Sequence, residues 1–148
     1  MKKLLLILLC LPILFGCGGG KKANDLTIKN IKGKVKEIIE NKFNVKEAFG
    51  DLEKSDLVFR QWKRYDDDGN ETEFNHYDKD GELETSEKYK YDDEGFLTES
   101  FTYDKDGNLE MMYKHKYEFD EKNNWIVKTL YEYDKPTNIT EREIEYYY

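Results

Sequence analysis

The motif Tyr-Asp-x-x-Gly recurs along the last two thirds of the chain and constrains its fold more than any other feature. Asp opens a type I turn by accepting hydrogen bonds from nearby backbone N–H groups, and Gly then adopts the left-handed conformation of a three-residue hairpin loop. The motif therefore predicts a series of β-hairpins. Its aromatic positions, including two looser copies at the end, are Tyr65, Tyr77, Tyr91, Tyr103, Phe119 and Tyr133. Its turn glycines are Gly69, Gly81, Gly95 and Gly107.

The spacing of these aromatic residues predicts how they are arranged in the sheet. They lie 12, 14, 12, 16 and 14 residues apart, and all five values are even. Because side chains alternate with a period of two along a strand, the even spacing predicts that every motif aromatic lies on one face. The turn type also predicts that each one lies opposite the residue two positions beyond the glycine or the residue in its place, as Tyr77 opposite Leu83 and Tyr133 opposite Ile139.

The complete pattern predicts an all-β fold, an antiparallel up-and-down meander of about eight strands. We expect a first strand at residues 31–43, a polar connection at 44–56, a second strand at 57–65 and six more strands between the turns. The sheet is expected to curl into a barrel or half-barrel, with an open single-layer sheet as the alternative. Three apolar residues fit the alternation poorly and fall on the polar side, namely Phe96, Ile126 and Leu130.

The N-terminal segment has the features of a secretory signal. Lys2 and Lys3 precede an apolar run that is too short for a comfortable membrane span. Residues 14–17 resemble a bacterial lipobox, which implies that Cys17 is acylated and becomes the first residue of the mature protein. The predicted organisation is a signal peptide at 1–17, a flexible tether at 18–25 and a β domain at 26–148. The chain lacks the acidic run after Cys17 that resembles a surface-export signal, which favours the periplasmic side of the outer membrane.

The repeats themselves resemble a known family. Tyr-Asp-x-x-Gly-Asn followed by an apolar residue resembles the YD repeat of Rhs-type proteins, and Gly69-Asn70 and Gly107-Asn108 complete that pattern. Residues 33–38, 124–126 and 139–146 make the chain similar to small YD-repeat lipoproteins of the Bacteroidetes type. The resemblance implies a β-sheet protein of the cell envelope without a defined activity.

Few residues of the chain indicate a metal site or a catalytic site. Asp78-Lys79-Asp80-Gly81 and the corresponding residues at 104–107 match only part of a calcium loop, so we interpret them as turns and predict no metal site. His76 is expected to point outward and His115 to lie on the aromatic face. No catalytic set or phosphate-binding loop is found in the sequence, so we predict a non-enzymatic protein without a cofactor.

Charge and aromatic content limit the partners. Loss of the signal takes the formal charge from −8 to −10, which disfavours nucleic acid and suits a protein partner with a basic surface. The expected function is a lipid-anchored envelope protein that presents a Tyr-rich, acidic sheet for binding or assembly. The alternatives are an immunity protein against a secreted basic toxin and a carrier of a small apolar or sugar ligand. The candidate ligand or partner aromatics are Tyr89, Tyr103, Tyr113, Trp125 and Tyr131.

Overall fold

The computed structural model describes residues 23–147, which form one short helix and one antiparallel sheet. The eight strands follow chain order across the sheet, so the predicted up-and-down meander is confirmed. β1 and β8 are the two edges of this sheet and do not pair with each other. The expected closure into a barrel is therefore wrong, and the open single-layer alternative is correct. The elements are α1 Asp25–Ile28, β1 Glu37–Ala48, β2 Asp51–Tyr65, β3 Glu71–Tyr77, β4 Leu83–Tyr91, β5 Leu97–Tyr103, β6 Leu109–Phe119, β7 Trp125–Glu132 and β8 Lys135–Glu141.

The Asp-x-x-Gly turns have the predicted geometry. In the β5–β6 turn, the N–H of Gly107 donates to the carbonyl of Asp104 at 3.1 Å, and Gly107 has a φ of +82°. One carboxylate oxygen of Asp104 accepts from the N–H groups of Asp106 and Asn108, at 2.9 and 2.8 Å. The Asn108 amide donates to the other oxygen at 2.9 Å, which explains why Asn suits the position after Gly. One carboxylate oxygen of Asp78 likewise accepts from the N–H groups of Asp80 and Glu82, at 2.8 and 2.9 Å, so this carboxylate is used by its turn.

The predicted register next to these turns is confirmed in five hairpins. In each one, the motif aromatic lies opposite the residue two positions beyond the turn glycine or asparagine, because the three-residue loop fixes that offset. The confirmed pairs are Tyr65 with Glu71, Tyr77 with Leu83, Tyr91 with Leu97, Tyr103 with Leu109, and Phe119 with Trp125.

A β-bulge follows each of these five pairs and changes the faces of the sheet. Tyr65 pairs with Glu71 but Arg64 pairs with Glu73, so Thr72 is an extra residue in β3. A bulge places two consecutive residues opposite one and so reverses the alternation of the strand beyond it. The other extra residues are Glu84, Thr98, Glu110 and Ile126.

The prediction that all motif aromatics share one face is consequently wrong. The ring of His76 lies 5.2 Å from that of Phe59, and Phe59 is on the same face of β2 as Tyr65. Tyr77, next to His76, must therefore be on the opposite face, and the expected outward position of His76 is also wrong. Repetition of the bulge makes the motif aromatics alternate between the two faces. We call the face of Tyr65, Tyr91, Phe119 and Trp125 the capped face, and that of Tyr77, Tyr103 and Tyr131 the open face.

The first hairpin differs from the sequence prediction. β1 begins at Glu37, six residues later than expected, and the presumed connection at 44–56 is the end of a long β1–β2 hairpin. Phe49 and Gly50 form its turn, with φ values of +55° and +89°. Positive φ at both central residues is typical of a type I′ turn, which joins strands through two residues. This turn lacks the Asp-x-x-Gly motif, and the polar residues around it are arranged as paired strands.

The last hairpin is also closed by two residues. Tyr133 and Asp134 have φ values of +44° and +65°, and Glu132 pairs with Lys135. The expected pairing of Tyr133 with Ile139 is therefore wrong, because Ile139 lies opposite Thr129. Thr137 stands where the motif has Gly, and Pro136 takes the position before it. Proline there forces the preceding residue out of the conformation that a type I turn needs, so the three-residue loop does not form here.

Burial within residues 23–147 is slight for a sheet of this size. The buried apolar residues are Leu26 and Tyr65, and the buried polar residues are Asn70 and Asn75. Three of these four residues lie where α1 meets the β2–β3 turn. The sheet is thus a single layer with most side chains half-buried by their neighbours in the sheet.

Candidate binding surface

The N-terminal segment is clamped to the capped face by a group of hydrogen bonds that we call the α1 clamp. Its residues are Asn24, Asp25, Lys29, Tyr65, Glu71 and Tyr91. Asn24 caps α1 by accepting from the N–H of Thr27 at 2.8 Å, and its amide donates to the carbonyl of Asp68 at 2.5 Å. The N–H of Glu71 donates to the Asp25 carboxylate at 2.7 Å. The segment that precedes the sheet is thus fixed to the β2–β3 turn.

The ionisable side chains of the α1 clamp interact through hydrogen bonds and charge. Lys29 forms an ion pair and hydrogen bond with Glu71. Burial acts to lower the pKa of Lys29, but the hydrogen bond and charge of Glu71 outweigh it, so the pKa is raised. Burial is the main cause that raises the pKa of Tyr91, and the charge of Asp25 adds to it. The Tyr91 hydroxyl donates toward the Glu71 carbonyl at 2.8 Å and toward Asp25 at 3.1 Å, so at neutral pH it is a protonated, structural group.

A second cluster on the capped face is made of aromatic rings around Tyr117. Its ring lies 5.3 Å from Phe96, 6.2 Å from Phe119 and 6.2 Å from Trp125. The Tyr117 hydroxyl donates to the carbonyl of Leu97 at 3.1 Å. The chain continues along β7 after the end of β8, since the N–H of Arg142 donates to the carbonyl of Ile126 at 2.8 Å. The guanidinium of Arg142 lies 3.1 Å from the centre of the Trp125 ring. The rings meet at tilted angles and form no flat platform.

His115 extends this cluster toward the middle of the sheet. Its ring stacks on Tyr117 with centres 6.4 Å apart, as the expected position on the aromatic face requires. Burial, helped by the charge of Lys128, lowers the pKa of His115. The Nδ1 atom is buried without a hydrogen-bond partner. His115 is therefore neutral near pH 7 and packs as an aromatic ring.

The five candidate aromatics of the sequence analysis are divided between the two faces. Tyr89, Tyr113 and Trp125 lie on the capped face, where the Tyr89 hydroxyl donates to Glu87 at 2.5 Å. Tyr103 and Tyr131 lie on the open face. The ammonium groups of Lys88 and Lys116 lie 5.6 and 4.9 Å from the centres of these two rings. These five rings do not line a common cavity.

Two open clefts lie beside the α1 clamp, and Tyr89 is the one predicted aromatic in their walls. The larger, of about 1060 Å³, lies between residues 30–36 and the β2–β3 turn and includes Leu26 and Tyr65 in its walls. The smaller, of about 420 Å³, lies between the β2–β3 and β4–β5 turns and includes Tyr89 and Tyr91. This region was not predicted from the sequence, because its walls depend on a helix of four residues. The Asn24-Asp25 pair ahead of an apolar residue is the N-cap signal that could have found it.

The described residues offer no grouping of three or more His, Cys, Asp or Glu side chains that could hold a metal ion. Among residues 23–147 there is also no helix with the length and apolar character needed to cross a bilayer. Cys17 and most of the predicted tether lie outside the described residues. Comparisons with family models, with curated proteins and with solved structures find no match to the chain.

Proposed function

We propose that this chain is a non-enzymatic, lipid-anchored protein of the cell envelope that presents its sheet as a surface for binding or assembly. The observation that carries the proposal is the single-layer sheet itself. Both faces are accessible, and Leu26 and Tyr65 are the apolar residues that residues 23–147 bury. A globular protein with one solvated surface would instead have an enclosed core. A layer with two usable faces and two edges suits contact with other molecules.

The position of the α1 clamp supports an anchored arrangement. The seven residues from Cys17 to Asn24 span at most about 25 Å when fully extended. The clamp then holds Asn24 and Asp25 against the β2–β3 turn through the hydrogen bonds to Asp68 and Glu71. An acyl chain on Cys17 would therefore keep that end of the sheet near the bilayer, with the faces directed along the membrane or away from it.

The charge distribution favours a partner with a basic surface. Acidic residues stand at the turns of both sheet ends, and the formal charge of the whole chain is −8. At the end that carries α1, Asp66, Asp67 and Asp68 lie in one turn and Asp92, Asp93 and Glu94 in the next turn on that side. Such ends attract cationic groups at low ionic strength and repel nucleic acid. We propose a basic protein partner and the periplasmic side of the outer membrane as the location.

Detergent partitioning tests the anchor. Cys17→Ala should move the protein from the detergent phase to the aqueous phase, because the acyl chains supply the membrane affinity. Cys10→Ala is the matched control, since it changes the other cysteine of the N-terminal segment and should leave the partitioning as it is. If Cys17→Ala stays in the detergent phase, the lipoprotein proposal is wrong.

A further inference from the structure

The β1 edge of the sheet is long and regular. Its ladder with β2 is irregular at two places, but the extra residues, Val58 and one at 55–56, belong to β2. β1 itself runs for twelve residues without a bulge or a proline. In the part of the chain that the structure describes, β1 pairs with β2 and with no other strand. Ile39 and Val45 are 55% and 68% exposed on it.

The opposite edge has the features that prevent pairing. β8 is seven residues long and contains Pro136, which has no N–H to donate. The register with β7 shifts between Leu130 and Tyr131, which makes Thr137 an extra residue in β8. Short length, proline and bulges are three of the features that protect edge strands. β1 has none of the three, so the two edges of this sheet are not equivalent.

The hydrogen-bonding direction of β1 can be assigned from its first pair. The carbonyl of Lys36 accepts from the N–H of Tyr65 at 2.9 Å, so Lys36 belongs to a hydrogen-bonded pair with β2. Because such pairs alternate along an antiparallel ladder, every second residue after Lys36 also bonds inward. Glu37, Ile39, Asn41 and Phe43 therefore direct their backbone N–H and C=O groups outward. A partner strand must place its own outward residues opposite these.

The side chains of β1 are complementary to a second β1 in the antiparallel register centred on Asn41. With Asn41 opposite Asn41 of the second copy, Glu40 lies opposite Lys42 on both sides of the two-fold axis. Ile39 then lies opposite Phe43, so the flanking pairs are apolar. Moving the centre by one residue in either direction places Glu40 opposite Glu40, or Lys42 opposite Lys42. Both shifted registers oppose like charges.

We propose that two copies of this chain pair through their β1 strands in the register centred on Asn41. The two sheets then form one continuous antiparallel sheet with a two-fold axis at Asn41, and β8 remains the outer edge of each copy. The pairing uses backbone groups and the side chains of β1 alone. It goes beyond the proposed envelope role and does not depend on the lipid anchor, so a failure of either proposal leaves the other in place.

A cysteine cross-link tests the register in the full chain. Residues opposite each other in a hydrogen-bonded pair have Cα atoms about 5.5 Å apart, which a disulfide can bridge. Asn41→Cys should therefore give a reducible dimer under mild oxidation. Asn138→Cys, on the protected β8 edge, is the matched control, and the unaltered protein controls for Cys10 and Cys17. Equal dimer from Asn41→Cys and Asn138→Cys, or none from Asn41→Cys, would overturn the proposal.

A charge exchange tests the same register independently. In the Asn41→Cys background, Glu40→Lys or Lys42→Glu alone should reduce the dimer several-fold, because each opposes like charges at both positions. The double exchange should restore it, since every Glu again faces a Lys. A double variant that stays as low as the single ones contradicts the register. If these variants do not fold, the mass of the unaltered full chain can be measured by sedimentation in detergent. A monomer mass at every concentration would overturn the pairing.

Discussion

At the residue scale, the turn glycines of similar sequence motifs differ in what surrounds them. Gly107 has a φ of +82°, and a Cβ atom placed there would meet nothing within 4 Å. Gly69 has nearly the same φ, +84°, but a Cβ there would lie 2.7 Å from the Asn24 amide nitrogen and 3.1 Å from Leu26. Both positions need glycine for the backbone, and Gly69 is also needed because α1 packs on its turn.

The two glycines therefore predict different costs. Gly107→Ala should lower the free energy of unfolding by about 1 to 2 kcal/mol, the usual cost of a left-handed backbone for an L-residue. Gly69→Ala should cost more, because Asn24 and Leu26 must also move. Urea denaturation monitored by tyrosine fluorescence measures both variants. Equal costs would contradict the packing of α1 on the β2–β3 turn.

His115 predicts a dependence of stability on pH. Its pKa is lowered in the folded protein, so between that value and the unfolded value near 6.5 the unfolded chain binds more protons. The stability contributed by neutral His115 is complete above about pH 6.5 and is lost as the pH falls through the folded pKa. His115→Phe keeps a ring against Tyr117 and removes an Nδ1 atom that has no partner.

The melting temperature of the unaltered protein should consequently fall more steeply below pH 6.5 than that of His115→Phe. The other histidine, His76, is present in both proteins, so the difference between the two curves reports His115. Thermal melts monitored by circular dichroism between pH 5 and 8 provide the measurement. Parallel curves would mean that His115 is as solvated in the folded protein as in the unfolded chain.

At the scale of the strand, local chemistry was predictable and the bulges were not. Asp and Gly in each motif define the turn and the first pair beyond it, so Tyr77 opposite Leu83 could be predicted from the sequence. The extra residue at Glu84 is the third after Gly81, and the other four hairpins have their extra residue at the same offset, but no residue type marks this position. One signal of the bulges was present in the sequence. Without a bulge the alternation places Leu130 on the polar side, whereas the bulge at Ile126 places it on the capped face. The two-residue turn at Phe49-Gly50 was missed because it lacks Asp-x-x-Gly.

The β7–β8 turn predicts a stabilising substitution. Asp134 has a φ of +65° in a two-residue turn, where glycine is preferred at the second position. Asp134→Gly should raise the free energy of unfolding by about 1 kcal/mol through relief of that conformation. The substitution also removes the Lys114–Asp134 ion pair, whose acidic side chain is 73% exposed, at a cost of less than about 1 kcal/mol.

Lys114→Ala is the control for this change, because it removes the same ion pair without altering the turn. Chemical denaturation of both variants separates the two effects. We expect Lys114→Ala to be slightly destabilising and Asp134→Gly to be neutral or stabilising relative to it. A greater loss from Asp134→Gly than from Lys114→Ala would indicate that the aspartate contributes more to this turn than its charge.

At the scale of the whole molecule, charged side chains replace the second layer that a sheet usually has. Charged residues make up 38% of the chain, and many lysines lie across aromatic rings. On the open face, the ammonium of Lys90 lies 5.2 Å from the centre of the Phe101 ring, while it also pairs with Glu99 at 2.8 Å. The aliphatic part of such a side chain covers apolar surface while its charge stays in water. Pairs of this kind, together with the backbone ladder, stabilise the sheet without an enclosed core.

The heat capacity change of unfolding tests this architecture directly. It arises mainly from apolar surface that becomes exposed, and ordinary globular proteins give about 12–15 cal/mol/K per residue. A sheet that buries as little as this one should give a value below about 10 cal/mol/K per residue, by the same relation. Scanning calorimetry at several protein concentrations measures it. An ordinary value together with a melting temperature that rises with concentration would show that a second molecule covers one face.

Pairing at the β1 edge also makes the melting temperature depend on concentration, but it buries little apolar surface. A low heat capacity change together with that dependence would therefore favour contact at the edge.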